Sequence, residues 1–219
     1  MDGKQLVIKR CGGTEGAVDL RGSKFRRFPR AGLALAGLLT FGYLLFTGPH
    51  NLDLYPPRES SPYRLPWQAG QSHFCCQSNR GIVSHRDWEE YAYDFAMPVG
   101  TPVCAARAGV VKSVVVNHDG HGLHMPNNYI AIDHGDGTVG WYLHLQKDGS
   151  LVKVGEHVEQ GQIFARSGHV GHSLMPHLHF QVTDIAYHHT RPISFADISS
   201  QRGIPRMFFW YTSGNLAAL

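Results

Sequence analysis

The apolar runs in the second half of this chain are too short for helices. They span residues 109–116, 129–133, 140–145 and 177–182, and they are rich in Val, Ile, Tyr and Phe. Glycine-containing turns such as His134-Gly135-Asp136-Gly137 separate them. β-branched and aromatic runs of this length, punctuated by glycine, predict antiparallel strands with little helix. Two stretches also echo each other. Pro98-Val99-Gly100-Thr101-Pro102-Val103 leads into Ala108-Gly109-Val110-Val111, and Val154-Gly155-Glu156-His157-Val158 leads into Gly161-Gln162-Ile163. The shared Val-Gly-x-x-Val step predicts a duplicated hairpin unit whose two apolar faces cover each other.

Ahead of this region lie two segments of different character. Residues 31–47 read AGLALAGLLTFGYLLFT, and no charge falls between Arg30 and Asp53. That run sits at the short end of what spans a bilayer as a helix. Lys24, Arg26, Arg27 and Arg30 precede it, which is the cytoplasmic flank expected from the positive-inside rule. A cleaved signal peptide competes with this reading, but its n-region would be unusually long and no small-x-small site follows Phe46. The expected organisation is a basic cytoplasmic arm over 1–30, a transmembrane anchor over 31–47, a Pro/Ser-rich linker over 48–70, a main domain over 71–184 and a C-terminal extension over 185–219. The anchor would place the chain in the cytoplasmic (inner) membrane as a single-pass protein, with the domain on the periplasmic or extracytoplasmic side.

The net charge of +3 follows from this layout. Residues 1–30 carry eight Lys or Arg against Asp2, Glu15 and Asp19, so everything beyond Arg30 holds twelve basic and fourteen acidic residues. A near-neutral main domain gives no electrostatic footprint for nucleic acid. Cys11 falls on the cytoplasmic side of the anchor. Cys75, Cys76 and Cys104 would face an oxidising space, where a bridge from Cys104 to one of the adjacent pair is expected.

Fifteen histidines is a high count, and spacing decides which of them matter. In Pro176-His177-Leu178-His179-Phe180 the two imidazoles are two residues apart, which on a strand puts them on one face. By the same rule Tyr142 and His144 share a face. Ser84-His85 and Tyr93-Asp94-Phe95 complete the set. A metal hydrolase needs about three protein ligands with an open position for water, plus a proton-transfer group that is not itself a ligand. His85, Asp94 and one member of the His177/His179 pair supply a ligand set, while the other member and His144 supply proton transfer and oxyanion stabilisation.

The order Asp94-Phe95-Ala96-x-Pro98-x-Gly100, Tyr142-x-His144-Leu145, Gly161-Gln162 and Pro176-His177-Leu178-His179-Phe180 closely resembles the lysostaphin/LytM-like zinc metallopeptidases, over roughly residues 84–182. The resemblance implies a mainly β, two-sheet antiparallel fold (the duplicated hybrid motif), zinc as cofactor, and peptide cross-links or stem peptides of peptidoglycan as substrate. It places the metal ligands on His85, Asp94 and His179 and the catalytic pair on His144 and His177. Three positions depart from the commoner family pattern. The first ligand usually stands four residues before the aspartate, where this chain has Glu90, so Glu90 is the alternative to His85. Met175 replaces a Gly, and Gln181 stands where Glu is common. By position alone, Asn128 and Tyr142 line the groove, and residues 117–128 and the segment after Asp184 cover it.

Two other readings share parts of the pattern. A non-catalytic LytM-like regulator or binder of cell-wall hydrolases would have lost ligands that are intact here. A biotinyl-type or phosphocarrier domain leaves Asp94 unexplained.

Overall fold

The computed structural model describes Gly37, Leu38 and residues 51–81, 83–186 and 189–216. The basic arm, nearly all of the apolar run 31–47 and Cys11 lie outside the described residues. Among those described, no helix is long and apolar enough to cross a membrane.

The architecture is two antiparallel sheets. β1 (Ser72–Gln77), β2 (Tyr93–Ala96), β4 (Gly109–Val115), β5 (Tyr129–Asp133), β6 (Thr138–Leu143), β8 (His157–Val158), β10 (His177–Asp184) and β11 (Trp210–Thr212) form an eight-stranded sheet. Its spatial order is β11-β1-β2-β10-β6-β5-β4-β8. β3 (Pro102–Cys104), β9 (Ile163–Ser167) and β7 (Leu145–Ser150) form a three-stranded sheet in the order β3-β9-β7. Four of these strands lie where the apolar runs predicted them.

The echoed stretches do form equivalent units, but they interleave rather than stack. β3 and β4 belong to the first copy, β8 and β9 to the second. β3 pairs with β9 and β4 pairs with β8, so each copy completes a strand pair of the other. The two Val-Gly steps turn alike, with φ of 88° at Gly100 and 89° at Gly155, a backbone state open to glycine at little cost.

One face of the large sheet and the small sheet enclose the core. Leu178, Phe180 and Val182 of β10 alternate inwards and are fully buried. Tyr93 and Phe95 do the same on β2. Tyr142 sits opposite Phe180 in register, its ring 4.9 Å from that of Phe180 and 4.8 Å from Phe164 of β9, and its hydroxyl accepts from the Ala106 N–H at 2.8 Å. Tyr142 is therefore a core residue and not a groove residue. Asn128 is likewise internal, bonding the backbone of His118 and Leu145.

Residues 51–70 are not a free linker. Tyr55, Tyr63, Leu65 and Trp67 belong to the core cluster. The Trp67 ring meets Phe95 at 4.8 Å and His73 at 5.0 Å, both edge-on, and its Nε1 donates to the Gln71 carbonyl. Asn79, buried, lies within 2.9 Å of both the Tyr55 and Tyr93 hydroxyls. Tyr63, Leu65 and Trp67 repeat every second residue, which is a strand period. The prolines around them mask the signal, because backbone without N–H groups reads as linker.

The segment after Asp184 is also structural. Ile193, Phe195, Ile198, Ile204 and Tyr211 are buried, and β11 extends the large sheet by pairing with β1. Among the described residues, core packing thus extends beyond the expected 71–184 on both sides, from Tyr55 to Tyr211. Trp67→Ala is expected to cost about 3–5 kcal/mol, the usual range for emptying a large aromatic site. Urea unfolding checks it; a loss under about 1 kcal/mol would return this segment to linker status.

The expected disulfide is not formed. Cys75, Cys76 and Cys104 are free thiols. Cys75 points into the core, while the Cys76 Sγ faces the Asp94 carbonyl at 3.4 Å. Burial holds the pKa of all three above the ordinary thiol value, so none is a ready nucleophile.

Candidate metal centre

The register of β2 against β10 places Asp94 directly opposite His179. Because Phe95, Leu178 and Phe180 take the core face, Asp94, His177 and His179 must take the other. That face is covered by loops, and Asp94 is 7 % exposed and His179 4 %. His179 Nδ1 lies 2.9 Å from Asp94 Oδ1, and its Nε2 donates to Gln181 Oε1 at 2.9 Å. Gln181, two residues on, is on the same face, where its amide oxygen fixes the His179 ring.

His85 reaches the site from the loop between β1 and β2. Its side chain is completely buried. Nδ1 donates to the Ser78 carbonyl at 2.9 Å, which leaves Nε2 pointing at Asp94 Oδ2, 3.2 Å away. Glu90, the alternative first ligand, turns away and pairs with Arg80. His85, Asp94 and His179 bring one ligand atom each within 4.8 Å of one another.

His144 arrives by a route that alternation does not predict. Leu143 stands opposite His179, so a continued strand would turn residue 144 to the core beside Leu178. Instead β6 ends there, and His144 has a φ of 61°. This left-handed residue rotates the ring to the site face, 4.5 Å from the His177 ring and 5.9 Å from that of His179. Tyr142 and His144 therefore do not share a face.

One loop, residues 168–176, holds both of these histidines. His144 Nδ1 donates to the Val170 carbonyl at 2.9 Å. His177 Nδ1 donates to the Met175 carbonyl at 2.7 Å and lies 3.2 Å from Ser173 Oγ. The loop is in turn tied to residues 117–128. Gly122 N donates to Gly171 O, Gly171 N to Gly120 O, and His172 N to Asn127 Oδ1, while the His121 and His169 rings stack at 3.7 Å. A Cβ at Gly171 would lie 2.7 Å from Asn127 Cα and closer still to its side chain, so the clasp depends on glycine there. Leu123, Leu174 and Met175 are exposed along this rim. Sequence reasoning missed the supporting groups, because backbone carbonyls such as those of Ser78, Val170 and Met175 carry no sequence signal.

The electrostatics agree with a cation site. Against the desolvation of burial, His85 and His177 hold the Asp94 carboxyl well below its usual range. Burial would lower His179, but its contact with Asp94 raises it to about 9. Burial, with the neighbouring His177 and His179 rings, pushes His144 down to about 3, so it is neutral near pH 7.

The donor set fits a zinc ion. With Nδ1 committed to Ser78, the His85 Nε2 makes no hydrogen bond and faces a carboxylate oxygen, so a metal between them would find an acceptor on each side. Two buried acceptors facing each other call for a positive charge between them. Zinc bonds of about 2.0–2.2 Å put tetrahedral ligand atoms about 3.4 Å apart, close to the 2.9 and 3.2 Å spacings found here. Three N/O donors also leave the open fourth position of a catalytic rather than a closed structural site.

Two histidines and one carboxylate, with two further imidazoles at their edge, make a donor set that would hold a single zinc ion and leave one position open. The family model described as peptidase family M23 matches residues 89–193, just under half of the chain. The peptidoglycan DD-endopeptidase ShyA of Vibrio cholerae is 44 % identical over 89 residues, covering 41 % of this chain and 19 % of that protein. Lysostaphin of Staphylococcus simulans is 42 % identical over 92 residues, covering 42 % of this chain and 17 % of that protein. The crystallised catalytic domain of that lysostaphin aligns at 29 % identity with a TM-score of 0.42, covering 57 % of this chain and 88 % of that domain. The chain spans under a fifth of the length of these two curated relatives.

Proposed function

We propose that this chain is a zinc-dependent endopeptidase that hydrolyses peptide bonds in peptidoglycan cross-links, with His85, Asp94 and His179 as metal ligands and His144 and His177 as the catalytic pair. The observation that carries this reading is the convergence, within 4.8 Å, of three ligand atoms from a loop and two paired strands. Two further imidazoles stand at its edge with their Nδ1 protons committed elsewhere.

Zinc bound there supplies a Lewis acid that polarises the scissile carbonyl and brings the pKa of a nucleophilic water from about 15.7 towards about 7. The chain's own residues do the rest. His144, neutral and held by Val170, offers the Nε2 lone pair to the proton of the attacking water. His177, held by Met175, has its Nε2 3.5 Å from Asp94 Oδ1, at the edge of the same site. A proton carried there steadies the oxyanion and then passes to the leaving amine. Asp94 and Gln181 keep the His179 ring in one orientation, so it does not compete for protons during turnover.

Peptidoglycan is the substrate this reading favours because three of the relatives are named peptidoglycan DD-endopeptidases. ShyA is named for DD-endopeptidase activity, and a relative from Staphylococcus capitis, 44 % identical over 93 residues, is named a glycyl-glycine endopeptidase. Residues 31–47 form the anchor in this proposal, with the basic arm cytoplasmic and the folded domain outside. Tyr55, a core residue, stands only eight positions after Thr47 in the sequence, so the catalytic domain would work near the membrane surface.

The test uses purified full chain in detergent with peptidoglycan sacculi and defined cross-linked muropeptides. Release of new amino termini is expected, abolished by a chelator and restored by zinc. A preparation carrying one zinc per chain that cuts neither D-Ala nor glycine cross-links would refute the substrate assignment. Extraction of cell membranes with alkaline carbonate tests the anchor, and a chain that leaves with the peripheral proteins is not membrane-spanning.

A further inference from the structure

We propose that Gln77 is a positioning residue of the metal centre, and that it is what allows a ligand nine residues ahead of Asp94 to reach the carboxylate. The inference rests on the reading that His85, Asp94 and His179 hold zinc.

The commoner spacing, four residues, falls on Glu90 at the approach to β2, and that side chain is occupied by Arg80. His85 instead sits in a loop whose only regular element, among the described residues, is a short 3-10 turn at Asp87–Glu89. Such a loop needs its own anchor if its imidazole is to be held to a few tenths of an ångström.

Gln77 provides it. The β1–β2 pairing runs Phe74 to Ala96 and Cys75 to Phe95, then slips by one residue, so Gln77 rather than Cys76 stands opposite Asp94. Bulges next to active sites re-aim side chains in this way. The Gln77 carboxamide is buried, and it bonds in two directions. Nε2 donates to Asp94 Oδ2 at 3.0 Å and to Ser84 Oγ at 2.8 Å. Oε1 accepts the N–H groups of Val83 at 3.2 Å and Ser84 at 3.4 Å. One side chain therefore ties the carboxylate to the two residues just before His85. Gly81 makes room for it, since a Cβ there would lie 2.4 Å from Gln77 Cγ. A neutral amide suits the task. It orients an ionised carboxylate without the full positive charge of Lys or Arg, which would compete with a metal.

The test measures zinc affinity of the full chain by competition with a chromophoric chelator, alongside thermal unfolding with and without zinc. Gln77→Leu is expected to weaken zinc binding about 10–100-fold, the range for losing an outer partner of a ligand. The rise in Tm on adding zinc should shrink with it, because that rise scales with affinity. Gly81→Ala, which displaces the amide without removing it, should weaken zinc binding in the same direction and carries the test if Gln77→Leu does not fold. Tyr211→Phe is the control. Tyr211 lies on β11, an edge strand, and its hydroxyl bonds Arg206 and Gln201 and neither Gln77 nor a ligand, so the variant should lower Tm equally with and without zinc and leave affinity unchanged. Zinc affinity within twofold of wild type in the folded variants would overturn the role of Gln77 while leaving the metal site standing. Wild-type chain that takes up no zinc would instead overturn the underlying reading.

Discussion

His179→Ala should yield a chain that binds no stoichiometric zinc and cuts no peptide. The loss should far exceed the roughly 10–100-fold typical of an outer-shell partner, because this ring is both a ligand and the group directly opposite Asp94. The variant also strands a buried carboxylate. Breaking a buried charged pair costs about 3–5 kcal/mol, so some loss of activity could come from unfolding alone. Asp94→Asn separates the two effects. It keeps the volume and removes the charge, and it should lose zinc with a smaller drop in stability. Elemental analysis of the folded fractions of both variants decides the matter. A His179→Ala chain that still carries one zinc would remove His179 from the ligand set.

The parts of this molecule that were legible in the sequence are those written in side-chain period. His177-x-His179 on a strand, with Leu178 and Phe180 inward, follows from alternation, and the paired strand puts Asp94 opposite without further information. The strands 109–116 and 129–133 follow from Val, Ile and Tyr runs closed by glycine. Three features escaped for separate physical reasons. The packed segment 51–70 was hidden by prolines at 62 and 66 that remove donors while Tyr63, Leu65 and Trp67 keep the period of a strand. The orientation of His144 was lost because one left-handed residue inverts the rule that fixes every neighbour. The interleaving of the two hairpin copies could not be read, since repeats announce similarity and not which strand pairs with which. What separates His85 from Glu90 is the burial of the one and the pairing of the other with Arg80, both of them tertiary facts.

His144→Ala should behave in the opposite way to His179→Ala, keeping its zinc and losing its rate. The ring touches the site edge-on and sits 5.9 Å from the His179 ring, and it is absent from the group of converging ligand atoms. Removing it leaves the donor set intact. What disappears is the one buried neutral imidazole whose Nδ1 proton is fixed on Val170, which makes Nε2 an acceptor at every turnover. General-base contributions of this kind amount to about 10²–10⁴-fold, so kcat should fall by that factor while KM for a cross-linked muropeptide changes little. The distinction matters because the loop 168–176 also shapes the groove. If truncating His144 merely loosened that loop, KM would rise and kcat would hold, and His144 would be a scaffold for the loop rather than the base. Zinc content measured on the same preparation closes the argument: full occupancy with kcat cut a hundredfold or more assigns the proton transfer to this side chain, and lost occupancy would move His144 into the ligand set.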